Sequence, residues 1–121
     1  MHELSICYQM IKTIEQYALE QECQQIKKVC LAVGLLAGID IEALRFSFPI
    51  AAKNSVVDKA ELEIESIAGK AHCRVCRQDF TLMQYLQACP KCNGYEYDIM
   101  QGKELKILNI IGASFVPPGS S

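Results

Sequence analysis

Four cysteines fall in two close pairs, Cys73-x2-Cys76 and Cys89-x2-Cys92, with twelve residues between the pairs, inside the stretch "HCRVCRQDFTLMQYLQACPKCNG". Two residues between thiols let both sulfurs turn inward on one tight knuckle, and two knuckles together supply the tetrahedron of thiolates that suits Zn(II). Pro90 and Gly94 are residues of the kind such turns need. A closed four-sulfur site has no open position for a substrate, so its work is folding: a satellite of about 30 residues is too small to hold itself together by core burial alone. The same ligands can hold iron, which would make the chain an electron carrier of the rubredoxin kind, but redox-inert zinc suits a ribbon with this spacing better. His72 adjoins the first knuckle and reads as an exposed residue rather than a ligand.

A second group able to hold a metal stands at the other end, in "MHELSIC". A free terminal amine and the amide nitrogen of His2 close a five-membered chelate; that amide and the His2 Nδ1 close a six-membered one. The Glu3 amide or a side-chain oxygen completes the set. Nitrogen-rich, flattened coordination of this type selects Ni(II) or Cu(II) over zinc, and because protons must leave the ligands its affinity rises with pH. It requires that Met1 stay on the chain, which the bulky second residue favours. A histidine at position two is also compatible with an exposed side chain that binds nothing, and the residues alone leave both readings open. The other cysteines, Cys7, Cys23 and Cys30, read as small apolar side chains or incidental thiols.

These groups need elements to carry them. Residues 4–22 have helical periodicity, with Leu4, Cys7, Ile11, Ile14 and Ala18 on one side and Met10 and Tyr17 widening the stripe. Residues 26–36 read as a strand in which Val29, Leu31, Val33 and Leu35 alternate with the small Cys30, Ala32 and Gly34. Asp40 is placed to cap a second helix that buries Ile41, Leu44, Phe48 and Ala51, and Pro49 predicts a break near Ser47–Ile50. Residues 60–67 and 103–111 alternate as half-buried strands. The simplest topology pairs those two with each other and inserts the cysteine block at their tip, with Phe80, Leu82 and Leu86 covering its small strands. The expected fold is α+β: a small mixed three-stranded sheet with two helices and an inserted zinc-ribbon satellite. Residues 1–69 and 100–113 form the first domain and 70–99 the ribbon. Residues 114–121, rich in Gly, Ser and Pro, are a flexible tail or an expression remnant.

The chain has 121 residues and a formal net charge of -2, which argues against a nucleic-acid binder. It contains no apolar run of about 18 residues and no secretory signal at its start, so a cytoplasmic location is expected. With two histidines and no nucleophile–base set to assemble, it reads as a binding protein rather than an enzyme. A zinc-ribbon module for protein or nucleic-acid interaction is the alternative.

The two motifs together narrow the choice. "MHELSIC" and the cysteine ribbon, joined by "VGLLAGID" at 33–40, "LRFSF" at 44–48 and "LEIE" at 62–65, resemble the HypA/HybF family of hydrogenase nickel-incorporation proteins over about residues 1–112. The resemblance implies a metallochaperone that binds Ni(II) as transient cargo at its amino terminus and Zn(II) in the ribbon. It implies delivery of nickel to the large subunit of [NiFe]-hydrogenase with a GTPase partner, as a monomer or homodimer and without nucleic acid or membrane. On this resemblance His2 is the principal nickel ligand, with the Met1 amine and the backbone or side chain of Glu3. Asp40 lies near that site, and Cys73, Cys76, Cys89 and Cys92 are the zinc ligands. Pro49 departs from the family pattern, and the tail beyond Gly112 has no counterpart in it.

Overall fold

The computed structural model describes residues 3–112, so His2 and the tail expectation for 114–121 lie outside the described residues. The order of elements is α1 (Glu3–Glu20), β1 (Ile26–Gly34), α2 (Ile41–Ala52), β2 (Glu61–Ile67), β3 (Gly69–Cys73), β4 (Asp79–Leu82), β5 (Tyr97–Gln101) and β6 (Leu105–Gly112). They form two three-stranded sheets, ordered β2-β1-β6 and β4-β3-β5. The chain divides into two compact units. One contains residues up to Leu31, Asp40–Glu63 and the segment from Ile107; the other contains Ala32–Ile39 and Ile64–Lys106.

In the first unit, α1 buries Ile6, Cys7, Met10, Ile11, Ile14 and Ala18, while Leu4 and Tyr17 of the expected stripe stay partly in water. α2 packs against α1 and buries Leu44, Phe48, Ala51 and Ala52. Each large apolar side chain so covered contributes about 1.5–3 kcal/mol. Asp40 is the N-cap, as its position before the apolar run implies. The break expected at Pro49 does not occur: α2 runs through it to Ala52. Pro49 removes the amide that would bond the Arg45 carbonyl, but both residues face solvent, where water can satisfy that carbonyl. Burial of Phe48, Ala51 and Ala52 on the opposite side favours the helix beyond the proline.

The expected pairing of the two half-buried strands also fails. β1 lies between β2 and β6. Seven of its nine residues are buried, whereas β2 and β6 have none. A strand apolar on both faces belongs at the centre of a sheet, and strands with a polar face tolerate an edge. The small residues Cys30, Ala32 and Gly34 are therefore a second buried face.

The second unit has a much smaller core: Leu36, Ala71, Cys73, Phe80, Leu82 and Cys89, flanked by Cys76, Cys92, Tyr97 and Ile99. Phe80 and Tyr97 meet edge to face with ring centroids 5.2 Å apart. β3 pairs antiparallel with both β4 and β5, placing Ala71 opposite Phe80 on one side and Ile99 on the other. Phe80 and Leu82 cover this core as expected, but Leu86 does not; it is 86% exposed. Backbones approach closely here. A Cβ on Gly34 would lie 1.9 Å from the Gly102 carbonyl oxygen, and one on Gly69 would lie 2.2 Å from that of Leu82. Only glycine fits at either position.

Candidate metal centre

Both knuckles are built to one plan. The Cys73 amide donates to the Gln78 carbonyl at 2.9 Å, and the Cys89 amide donates to the Gly94 carbonyl at 2.8 Å, each closing the loop five residues on. The residue after the second cysteine turns into the left-handed region in both cases, Arg77 at φ 60° and Asn93 at φ 60°. Asparagine tolerates that conformation; arginine takes it because the knuckle demands it.

This geometry aims backbone N–H groups at the first sulfur of each pair. The Cys73 thiol is pulled down to about 6, chiefly by the Cys76 amide and also by that of Val75. Burial pushes Cys89 up, but the amides of Cys92 and Lys91, with the neighbouring sulfurs, outweigh it and leave the thiol below its ordinary value. The second cysteines move the other way. Burial drives Cys76 up to about 11. At Cys92 the Gly94 amide pulls down, but the Cys73 sulfur and burial carry it up.

The four sulfurs converge. All lie within 4.8 Å of one another. The Cys73–Cys92 separation is 3.5 Å and the Cys76–Cys89 separation 3.7 Å, each across the two knuckles. A tetrahedron with metal–sulfur bonds of about 2.3 Å has edges of about 3.8 Å, so these residues fit a tetrahedral ion with little movement. Cys73 and Cys89 are fully buried. His72 is outside the cluster: its Nδ1 lies 2.7 Å from Asp79 Oδ1 across the β3–β4 ladder, and its side chain is 41% exposed. Asp79 is held below the usual carboxylate range by that hydrogen bond and by the charges of His72 and Lys70.

The structure also brings together Glu3 and Asp40, 37 residues apart in sequence. The Asp40 amide donates to Glu3 Oε2 at 3.2 Å, while Asp40 Oδ1 accepts from the amides of Glu42 at 3.0 Å and Ala43 at 3.2 Å. Glu3 thus ties the first turn of α1 to the start of α2, and both carboxylates sit where the α2 helix dipole favours negative charge. Beneath them Cys7 is fully buried, and its thiol is pushed up to about 11 by burial and by the Glu3 charge. Of the remaining cysteines, Cys30 is buried and Cys23 is partly exposed, and neither joins a cluster.

The family resemblance put Asp40 near the His2–Glu3 end of the chain, but sequence reasoning did not anticipate the hydrogen bond from Asp40 to Glu3, the His72–Asp79 pair or the left-handed residues of the knuckles. Only the last has a local signature, the repetition of C-x2-C followed by a residue that must turn.

The model of the family described as "Hydrogenase/urease nickel incorporation, metallochaperone, hypA" matches residues 1–111. The chain belongs to the HypA family. Hydrogenase maturation factor HypA of Francisella philomiragia is 39% identical over 111 residues, covering 92% of this chain and 98% of that one. The factor of the same name from Legionella pneumophila is 34% identical over 111 residues, with 92% and 98% covered. The solution structure of the Ni metallochaperone HypA from Helicobacter pylori superposes with a TM-score of 0.67 at 24% identity, covering 93% of this chain and 97% of that one, and agrees with the fold. HypA proteins are nickel-incorporation metallochaperones for hydrogenase maturation, carriers rather than enzymes. No helix among the described residues is long and apolar enough to cross a membrane.

Proposed function

We propose that this HypA protein carries Ni(II) at its amino terminus, held by His2 with the Met1 amine, the His2 amide and the backbone or side chain of Glu3, and that Cys73, Cys76, Cys89 and Cys92 hold a structural Zn(II). The cargo goes to the large subunit of a [NiFe]-hydrogenase, with a maturation GTPase as partner, in the cytoplasm. The observation that carries the nickel reading is the Glu3–Asp40 contact. It ties the first described residue of α1 to the N-cap of α2 and sets two carboxylates together where the described chain begins. Those carboxylates favour a cation close by. An open chelate of this kind can win nickel and still release it, which a buried cage cannot. The zinc reading rests on the convergence of four sulfurs within 4.8 Å and on a core too small to hold the second unit alone.

The test is calorimetric titration of Ni(II) into the native chain and His2→Ala near neutral pH, both beginning at Met1. A preceding residue would move His2 to third place and create a different chelate. Loss of one nickel per chain in His2→Ala, with zinc content unchanged, is the expected result. Equal nickel binding by both would assign the metal to other ligands and end the terminal-site reading.

A further inference from the structure

Asn93–Gly94 is the one Asn-Gly pair in the chain, and it stands directly behind the ligand Cys92. An asparagine before a glycine is open to attack by its own backbone. The glycine nitrogen can reach the side-chain carbonyl carbon with no Cβ in the way, and the chain about a glycine turns easily. Asn93 is exposed, so water has access to it.

The second knuckle holds the pair out of reaction. The Asn93 amide donates to the Cys89 carbonyl at 2.7 Å, and the Gly94 carbonyl accepts from the Cys89 amide at 2.8 Å. The Gly94 amide donates to the Cys92 sulfur, which lies 3.3 Å from where a Cβ on Gly94 would stand. Ring closure needs the opposite arrangement. The Gly94 nitrogen must swing toward the Asn93 side chain, by rotation about the Asn93 Cα–C bond, and give up its proton. All three hydrogen bonds resist that rotation. All three also end on Cys89 or Cys92, so they last as long as those two cysteines are held.

We propose that Asn93 is a modification site gated by the metal of the ribbon: a loaded knuckle keeps the asparagine closed, and loss of the ion opens it to deamidation. The Gly94 nitrogen then bonds to Asn93 Cγ, the Cγ–Nδ2 bond breaks, and ammonia leaves with the proton of the Gly94 amide. Water opens the resulting cyclic imide at either carbonyl, giving an aspartyl or an isoaspartyl residue. The isoaspartyl product runs the main chain through its Cβ, so the Gly94 amide and carbonyl no longer match the positions of Cys92 and Cys89. The aspartyl product sets a carboxylate beside the thiolates, a like charge that opposes their ionisation. A chain that has lost its ribbon ion in this way does not regain it. The inference rests on the four cysteines holding Zn(II).

The test incubates the full-length zinc-loaded chain beside the same chain freed of metal by a chelator, at neutral pH. Peptide mass spectrometry follows Asn93 and, as an internal reference, Asn54. Asn54 lies in the other unit, and the bonds about it run to Asp58 and Ala52 rather than to the ribbon. Conversion at Asn93 should be about tenfold or more faster without metal, because the knuckle no longer has to open first, while Asn54 is unchanged. Equal rates at Asn93 overturn the proposal. So does a rise at Asn54 that matches the rise at Asn93, which would report general unfolding. The aged metal-free chains are then returned to Zn(II). The native chain should fail to rebind zinc in proportion to its converted fraction. Asn93→Gly, which suits φ 60° and has no side chain to react, should reload fully. Full reloading of converted native chain overturns the claim that the loss is permanent. If the chain as purified holds no zinc at the four cysteines, the zinc reading itself fails, and the proposal falls with it.

Discussion

Asp40 is the sharpest place to separate folding from metal handling. Its carboxylate accepts from two amides at the start of α2, while its own amide donates to Glu3. Asp40→Ala leaves both α2 amides without their acceptor, at a cost of about 1 kcal/mol within a range of about 0.5–2. Asp40→Asn retains an oxygen in the same place, because asparagine caps as well as aspartate. It loses only the charge–dipole part, about 0.3–1 kcal/mol. The backbone bond to Glu3 survives in both. For a cooperative unit of 60–100 residues, 1 kcal/mol corresponds to about 4–8 °C in Tm. Thermal melts followed by far-ultraviolet circular dichroism, on zinc-loaded protein at low salt, should therefore place Asp40→Ala about 4–8 °C below the native chain and Asp40→Asn between the two. Equal drops in both variants would refute the capping argument and leave charge as the reason for the aspartate. If Asp40→Asn keeps its Tm but weakens Ni(II) binding in calorimetry, the carboxylate acts on the cargo directly, a role the melts alone do not report.

Further outcomes follow from the rest of the molecule. Removing metal with a strong chelator at neutral pH should unfold the second unit, whose buried core is small and includes two of the ligands, while helical dichroism from α1 and α2 persists; full retention of amide hydrogen-exchange protection in the β3–β5 ladder after zinc loss would contradict a structural role for the ion. In zinc-loaded protein, iodoacetamide at pH 7.5 should modify Cys23 first, because Cys7 is fully buried with its thiol raised to about 11 and Cys30 is buried; mass spectrometry showing early modification of Cys7 would mean that the α1–α2 packing opens readily. The Lys28–Glu63 ion pair, 2.9 Å long, lowers the Glu63 carboxyl and raises the Lys28 ammonium, in each case first through their hydrogen bond. The lowered acid stabilises the fold above its unfolded pKa of about 4.3 and loses that effect as pH falls through the folded value. The raised base stabilises the fold below about 10.4 and loses that effect as pH rises through its folded value. The stability difference between native and Glu63→Gln should thus be flat from about pH 5 to pH 10 and vanish in acid, and it should be small because Glu63 is exposed and Lys28 only half-buried; a difference that grew below pH 4 would reverse the assigned sign.

What could be read from the sequence was what short spans decide. Two residues between cysteines make a knuckle whatever surrounds it, and an aspartate before an apolar helical run caps it, so Cys73, Cys76, Cys89, Cys92 and Asp40 were all identifiable without the structure. The misses were choices made between distant segments. The alternation in residues 60–67 and 103–111 defines two strands but not their neighbour. The deciding fact was that β1 is apolar on both faces, so it took the centre of the sheet. Pro49 signals a local break, yet Phe48, Ala51 and Ala52 have a core to fill, and packing outweighed one lost hydrogen bond on the solvent side. The contact of Glu3 with Asp40 is likewise a product of α1 lying on α2. That contact has a consequence for the proposed cargo site. In the ribbon, backbone amides and short loops aim all four sulfurs at one closed centre, which suits an ion that stays. At the amino terminus the Glu3–Asp40 bond ties the start of α1 to the start of α2, and the proposed chelate would be an open one next to that point. A closed site for the ion that is kept and an open one for the ion that is given up is what the proposed carrier requires.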